Sequence, residues 1–379
     1  MNKKMKILFM TDNFPPQTGG IARFSENICK QLGLRGHSVD VLSVVDHPRK
    51  SLLNKSNYRV FESKRHRSFA SVPIILRTLL FIGNKYDILF MSSLMTTNAL
   101  GVYILNRLFR VPFVLLLHGF DMNYLKSRYY FDRLLARLYL KRASLILVNS
   151  AATGRKAILN GASQAKIKIL NPGIDTEFFS RKMRVGGRGS NGGKIILTVA
   201  RLVKRKGHKF VIEALAKMKD ELLDVHYMVV GGGPEKDNLV KLADELQVSD
   251  KVIFLENVED DKLPEYYSLS DLFVMPTLSD DYDYEGFGMA YLEANACGLP
   301  VIGARNGGVT DAIVDGKTGV LVREKDAVEL SQAIKRLLGD DVLRSRMGET
   351  GRTRAKEYFS WNVIGKKLED YLKECLGRN

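Results

Sequence analysis

Two glutamates, Glu285 and Glu293, stand eight residues apart in the segment Tyr284–Ile302. Between them Gly286 and Gly288 lead into a short apolar run that reads as a helix. The start of a helix exposes unpaired backbone N–H groups and the positive end of a dipole, which suits a phosphate. Glu285, just ahead of it, can accept hydrogen bonds from sugar hydroxyls. Glu293, one turn or more inside, can hold a second pair of hydroxyls, such as those of a ribose. Phosphate together with two polyols describes a nucleotide sugar. Most surface glutamates are solvated charges. Glu293 instead sits in an otherwise apolar helix that a Gly-Leu-Pro turn and the strand Val301–Ala304 follow.

Other chemistry-bearing residues follow apolar runs that read as strands. After the first comes Asp12-Asn13-Phe14-Pro15-Pro16-Gln17-Thr18-Gly19-Gly20-Ile21, then a helix to about Leu34. Gly19 and Gly20 at a helix start let a ligand approach the backbone closely. The spacing is not the G-x-G-x-x-G of dinucleotide enzymes, which argues against a dehydrogenase. His118-Gly119-Phe120-Asp121 end another strand, and Arg201-Leu202-Val203-Lys204-Arg205-Lys206-Gly207-His208 end a third. Four cations within six residues suit a diphosphate leaving group: a guanidinium grips phosphate oxygens bidentately and an ammonium acts as a point charge. Val229–Pro234, with Gly231, Gly232 and Gly233, is a strand end opening into a tight loop, and Asn257-Val258 is a turn.

These segments together resemble the retaining glycosyltransferases of family four, which adopt the GT-B fold. Residues 285–293 resemble the family's E-x7-E motif, Gly19-Gly20 its N-terminal glycine loop, His118–Asp121 its H-G-x-D, and Arg201–Gly207 its R-x4-K-G. The segment 171–179 matches an interdomain stretch with a structural role. The resemblance implies that the Gly19-Gly20 loop approaches the diphosphate and the transferred sugar, and that His118 faces the sugar ring near its 6-position. It singles out Arg201 and Lys206 for the diphosphate and leaves Lys204 and Arg205 as peripheral charge. It places Gly232 and Val258 near the nucleotide, with Phe287, Gly288, Met289 and Glu293 on the donor. No covalent nucleophile stands out, and the front-face route implied by the family needs none. In that route the departing diphosphate helps take the acceptor's proton while Glu285 and His118 orient the sugar.

Asp283-Tyr284-Glu285-Gly286-Phe287-Gly288 followed by Tyr291-Leu292-Glu293-Ala294 looks most like the branch acting on phosphatidylinositol mannosides, which uses GDP-mannose. A UDP-sugar enzyme with a soluble acceptor is the alternative. A non-catalytic basic protein binding membrane or nucleic acid is a second, although no nucleic-acid motif is recognisable. A phosphorylase fits poorly, because no lysine lies in a motif suited to pyridoxal phosphate. Asp281-Tyr282-Asp283 spells D-x-D, a metal-holding pattern in another glycosyltransferase class. With cations at 201–206 to neutralise a diphosphate, no metal and no cofactor beyond the nucleotide sugar is expected.

The elements that must position these residues alternate strand and helix, the pattern of parallel sheets with crossover helices. Expected strands are Lys6–Thr11, Ser38–Val45, Ile88–Met91, Phe113–His118 and Leu145–Asn149, then Lys194–Ala200, Val225–Val230, Val252–Leu255, Leu272–Met275 and Pro300–Ala304. The 379 residues suffice for two domains with separate cores. We expect an acceptor-binding Rossmann-like domain over residues 1–180 and a nucleotide-sugar domain over 181–359, joined by the glycine-rich stretch 186–193. The amphipathic helix 360–379 is implied by the resemblance to return to the first domain. Two such doubly wound sheets facing across a cleft place ligands beyond the carboxyl ends of their strands.

The net charge of +16 is uneven: residues 1–180 hold 27 Lys and Arg against 10 Asp and Glu, and the remainder 31 against 32. A basic first half calls for an anionic partner. Arg133, Arg137 and Lys141 form one stripe on an expected helix, beside Leu134, Leu135 and Leu138, and Lys64-Arg65-His66-Arg67 precede the apolar stretch 69–82. Basic beside apolar residues suits an anionic membrane surface, and the expected acceptor is lipid-linked or an envelope polysaccharide. No run reaches the roughly 20 apolar residues of a membrane span, and Met1–Thr11 reads as a first strand and not as a signal peptide. Cys29, Cys297 and Cys375 lack metal-ligand spacing and cannot all pair. We therefore expect a reducing, cytoplasmic location, peripheral on the inner face of the cell membrane.

Overall fold

The computed structural model describes residues 4–17, 19–45, 53–55, 57–64, 86–94, 106, 110–119, 121, 130–180, 193–221, 224–280 and 283–377. The basic run 65–67, the apolar stretch 69–82, the linker 186–192 and the pair Asp281-Tyr282 lie outside them. The chain divides into two compact units, Met1–Gly173 with Trp361–Asn379, and Ile174–Ser360.

The first unit is built on β1 (Lys6–Thr11), β2 (Ser38–Val45), β3 (Leu53–Lys55), β4 (Tyr58–Lys64), β5 (Ile88–Met91), β6 (Phe113–Leu117), β7 (Leu145–Val148) and β8 (Ile167–Ile169). Their order is β3-β4-β2-β1-β5-β6-β7-β8, all parallel except the β3–β4 pair. β1, β5, β6 and β7 read as nearly continuous Val, Ile, Leu, Phe and Met because both faces of the sheet are covered. On one face the helix Gly20–Leu34 buries Phe24, Ile28 and Leu32. The same cluster takes in Ile364, Leu368 and Leu372 from the last helix, Trp361–Cys375. Arg35 fixes that helix's start through Asn362, with Nη2 2.5 Å from its carbonyl oxygen and 2.7 Å from its Oδ1. The C-terminal helix thus belongs to the first unit, as its apolar spacing of three and four residues allows.

The second unit carries β9 (Lys194–Val199), β10 (Val225–Val230), β11 (Val252–Leu255), β12 (Leu272–Met275), β13 (Val301–Ala304) and β14 (Gly319–Val322), in the order β11-β10-β9-β12-β13-β14 and all parallel. The helices His208–Met218 and Ala327–Gly339 line one face with Val211, Leu215, Ile334 and Leu337. Tyr291, Leu292 and Phe359 are buried in the cluster on the other. The architecture is the GT-B fold: two Rossmann-like sheets and a final helix that packs on the first.

In both sheets the chain progresses one way and then reverses, between β1 and β5 in the first and between β9 and β12 in the second. Such a reversal leaves the two loops beyond the carboxyl ends diverging, and the gap between them is where doubly wound sheets hold ligands. The strands β3, β4, β8 and β14 were not expected: three or four residues such as Ile-Lys-Ile are too few to display a period, and the seven of β4, Tyr-Arg-Val-Phe-Glu-Ser-Lys, are largely polar.

Candidate functional site

In the second unit the loops after β9 and β12 flank the reversal. The chain leaves β9 through Arg201 and makes one turn of 3-10 helix over Lys204–Lys206. It then passes through Gly207 at φ 76°, ψ 14° into the helix His208–Met218. Gly207 is required twice over. Its φ lies in the left-handed region, and a Cβ there would sit 2.0 Å from the carbonyl oxygen of Pro276 in the loop after β12. The Leu278 N–H donates to the Arg205 carbonyl at 2.7 Å, so the two loops are joined by backbone.

That junction brings Glu285 onto the cations. One carboxylate oxygen, Oε2, lies 2.5 Å from Lys206 Nζ and 2.8 Å from Arg205 Nη1. Arg205 Nε meets Asp283 Oδ2 at 2.9 Å. Burial by itself would raise the Glu285 carboxyl; the charges of Lys206 and Arg205 outweigh it and hold it at about 2. Glu285 is therefore ionised at any physiological pH. Its backbone carbonyl accepts from the Gly308 N–H at 2.8 Å, which fixes the loop against the turn after β13.

Beyond Glu285 the helix runs from Met289 to Ala296, and Gly288 precedes it at φ 90° with no side-chain cap. A Cβ on Gly288 would lie 2.6 Å from the Tyr291 ring, so the position favours glycine, and the Tyr291 N–H donates back to the Gly288 carbonyl at 3.1 Å. Phe287 is buried with its ring centroid 5.8 Å from that of Phe359, so what it offers a ligand is its backbone. Glu293 lies one turn in, where its Oε2 accepts from the Tyr267 hydroxyl at 2.8 Å. Gly232 follows β10, and its carbonyl accepts from the Leu202 N–H at 2.9 Å. Val258 follows β11, partly buried on the core beside Asn257, which takes φ 56°.

Arg201 projects into solvent. Its carbonyl is held from below: His208 Nε2 lies 3.2 Å from that oxygen, and His208 Nδ1 lies 3.1 Å from the Tyr227 hydroxyl. A carbonyl only accepts, so Nε2 carries the ring proton and Nδ1 accepts from the tyrosine. Burial, followed by the nearby Lys206 charge, drives the His208 pKa down to about 4 against the opposing bond to Arg201.

In the first unit Gly19 (φ 123°) precedes the helix that starts at Gly20, and among the described residues no atom beyond its chain neighbours lies within 4 Å of where a Cβ on Gly19 would be. His118 follows β6. Its N–H donates to Asp121 Oδ2 at 2.6 Å, its carbonyl accepts from Asn149 Nδ2 at 2.9 Å, and its ring stands edge-on to Phe24 at 5.4 Å. Burial lowers its pKa, opposed by the Asp121 charge. The Asp121 carboxylate serves the backbone of the loop that presents His118. Among the described residues no group of three His, Cys, Asp or Glu side chains is placed to hold a metal. Asp283, the described half of the D-x-D, is paired with Arg205.

Three features escaped the sequence reading. Arg205, taken there as peripheral, is the residue that bridges Asp283 and Glu285; two carboxylates two apart, facing adjacent cations, were the available signal. Tyr267 beside Glu293 and the His208–Tyr227 pair join residues far apart in the chain, and nothing local announced them.

Two family models fall on this framework: Glycosyltransferase Family 4 over residues 18–178 and Glycosyl transferases group 1 over residues 181–354. The chain belongs to glycosyltransferase family 4. It is a glycosyltransferase of a retaining family. It is 29% identical to the GDP-mannose-dependent alpha-(1-6)-phosphatidylinositol monomannoside mannosyltransferase of Mycolicibacterium smegmatis, over 97% of this chain and 98% of that one. Among solved structures, sucrose-phosphate synthase from Thermosynechococcus elongatus aligns at a TM-score of 0.83 with 20% identity, over 99% of this chain and 100% of that one. Anabaena HepE in complex with UDP aligns at 0.80 with 22% identity, over 98% and 100%. Both likenesses concern the fold.

Proposed function

We propose that this glycosyltransferase moves a mannosyl residue from GDP-mannose, with retention, onto a lipid-linked or envelope-polysaccharide acceptor. The observation that carries the proposal is likeness over nearly the whole chain to relatives named as GDP-mannose-dependent phosphatidylinositol monomannoside mannosyltransferases. The basic first half and the resemblance of residues 283–294 to that branch support it. In this reading Arg201 and Lys206 hold the diphosphate, and the backbone at Phe287, Gly288 and Met289 supplies N–H donors at the helix start. Glu285 orients the sugar through its hydroxyls, Glu293 takes the ribose, and Gly232 and Val258 border the base. From the first unit, Gly19 and Gly20 serve the diphosphate and His118 the sugar.

The acceptor oxygen bonds to the anomeric carbon on the face the diphosphate leaves, and the acceptor's proton passes to a diphosphate oxygen. Stabilising the charge that gathers on the leaving group is the main contribution of the protein.

Incubation with GDP-mannose and a panel of UDP-sugars tests the reading, by nucleotide release and by thermal shift. GDP-mannose should raise the melting temperature and release GDP; faster turnover of any UDP-sugar would overturn the donor. Arg201→Ala, Lys206→Ala and Glu285→Gln should each cut turnover roughly 10²–10³-fold.

A further inference from the structure

Four charges of the second unit form a chain, Asp283–Arg205–Glu285–Lys206. Arg205 Nε is committed to Asp283 at 2.9 Å and its Nη1 to Glu285 at 2.8 Å, while its carbonyl is committed to the Leu278 N–H at 2.7 Å. Lys206, by contrast, is held to Glu285 by one flexible point charge. Both cations use the same oxygen of Glu285, Oε2.

We propose that Arg205 is a positioning residue that keeps Glu285 ionised and aimed when Lys206 turns from Glu285 to the diphosphate of an arriving donor. A diphosphate and Glu285 compete for one ammonium. Without Arg205, ligand binding would strip a nine-tenths-buried carboxylate of its counter-charge beside a new anion, and the carboxyl would take up a proton or turn away. With Arg205 in place, Oε2 stays paired and the carboxylate keeps its charge and its place for the sugar. Asp283 completes the device by holding the guanidinium plane from the other side. The inference rests on the nucleotide-sugar reading of the site, and holds for whichever sugar and nucleotide the donor panel selects.

The test compares the full-length protein with Arg205→Gln and Arg205→Lys on that same donor. For Arg205→Gln, kcat should fall roughly 10–100-fold with KM for the donor unchanged, as for a group held off its productive position. The acid limb of the kcat–pH profile should rise by roughly 1–3 units, the reach of a neighbouring opposite charge. Arg205→Lys restores the charge but spans only one carboxylate, so it should recover the pH limb and only part of kcat. A rise in donor KM with kcat intact would place Arg205 on the donor itself and overturn the proposal; so would an unchanged pH profile. Should Arg205→Gln fail to fold, Asp283→Asn takes its place, with a smaller loss of kcat in the same direction expected and no loss overturning the idea. NMR titration of 13C-labelled glutamate carboxyls, with Glu285→Gln to assign the resonance, needs no turnover. Arg205→Gln must raise the Glu285 pKa, and an unmoved resonance overturns the proposal whatever becomes of the donor assignment.

Discussion

At the scale of single residues, the site is organised by competition for protons and charges. Glu285 keeps its charge because two cations share one of its oxygens; His208 stays neutral because it is buried between a tyrosine and a carbonyl. The two shifts have different consequences in acid. An unfolded histidine takes up a proton near pH 6.5, whereas His208 in the folded chain resists until about pH 4. The unfolded state binds more protons between those values, so stability is full above pH 6.5 and declines as pH falls toward 4. The loss amounts to about 3 kcal/mol from this residue. Melting temperature should therefore drop more steeply between pH 6.5 and 4 in the native chain than in His208→Gln, and parallel slopes would refute the assignment. Arg201, Lys206 and His118 were visible in the sequence because each follows a strand whose apolar run is unmistakable, and Glu285 and Glu293 because they stand eight apart around the start of an apolar helix. Arg205 was not visible as a partner, because whether one or both of two adjacent cations turn to Glu285 depends on the single turn of 3-10 helix and the left-handed glycine after it.

Elements position these side chains through the loops at each sheet's reversal, and loops are where sequence periodicity says least. The ten strands legible in the sequence are those long or apolar enough to show a pattern, with ends that differ from the structure by one residue at most. Strand ends shifted because His118, Asn149, Ala200 and Pro300 turn into the loops that follow or precede the ladders. Gly207 is the tightest point of this framework. Gly207→Ala adds a Cβ against the Pro276 carbonyl in a backbone region that alanine avoids, and should cost roughly 2–5 kcal/mol. Gly298, at φ 80° with nothing among the described residues beyond its chain neighbours within 4 Å of a Cβ, isolates the backbone part alone. Gly298→Ala should cost about 1 kcal/mol. Denaturant midpoints for the pair measure the difference, and equal losses would mean that the close approach carries no weight.

Across the molecule, charge and core divide along the chain. The surplus of basic residues belongs to the first half, where Arg137 and Lys141 are exposed on the helix Tyr130–Arg142 beside a half-exposed Leu134. Among the described residues no helix is long and apolar enough to cross a membrane. Sedimentation with anionic vesicles at low salt should carry the protein down, and added salt should release it, since each basic residue near such a surface contributes about 1 kcal/mol that screening removes. Indifference to vesicle charge would remove the membrane from the proposed acceptor side. The final helix supplies Ile364, Leu368 and Leu372 to the first unit's core. Removing residues 361–379 should strip hydrogen-exchange protection from the helix Gly20–Leu34 and leave the helix His208–Met218 protected. Equal loss in both would contradict the division of the cores.

The ends of the second unit meet: Ile174 pairs with Ser360 in a parallel bridge, and the Ile174 N–H donates to the Phe359 carbonyl at 2.7 Å. On the other side of the same two peptide bonds, Gly173 packs against the Trp361 indole so closely that a Cβ would fall 2.6 Å from the ring. Residues 174–360 therefore constitute a cassette whose entry and exit share one doorway, the arrangement in which domain insertion and exchange are tolerated. A graft cut at 173/174 and 360/361 severs no strand of either sheet, so Arg201, Lys206, Glu285 and Glu293 would travel between enzymes as a single contiguous block.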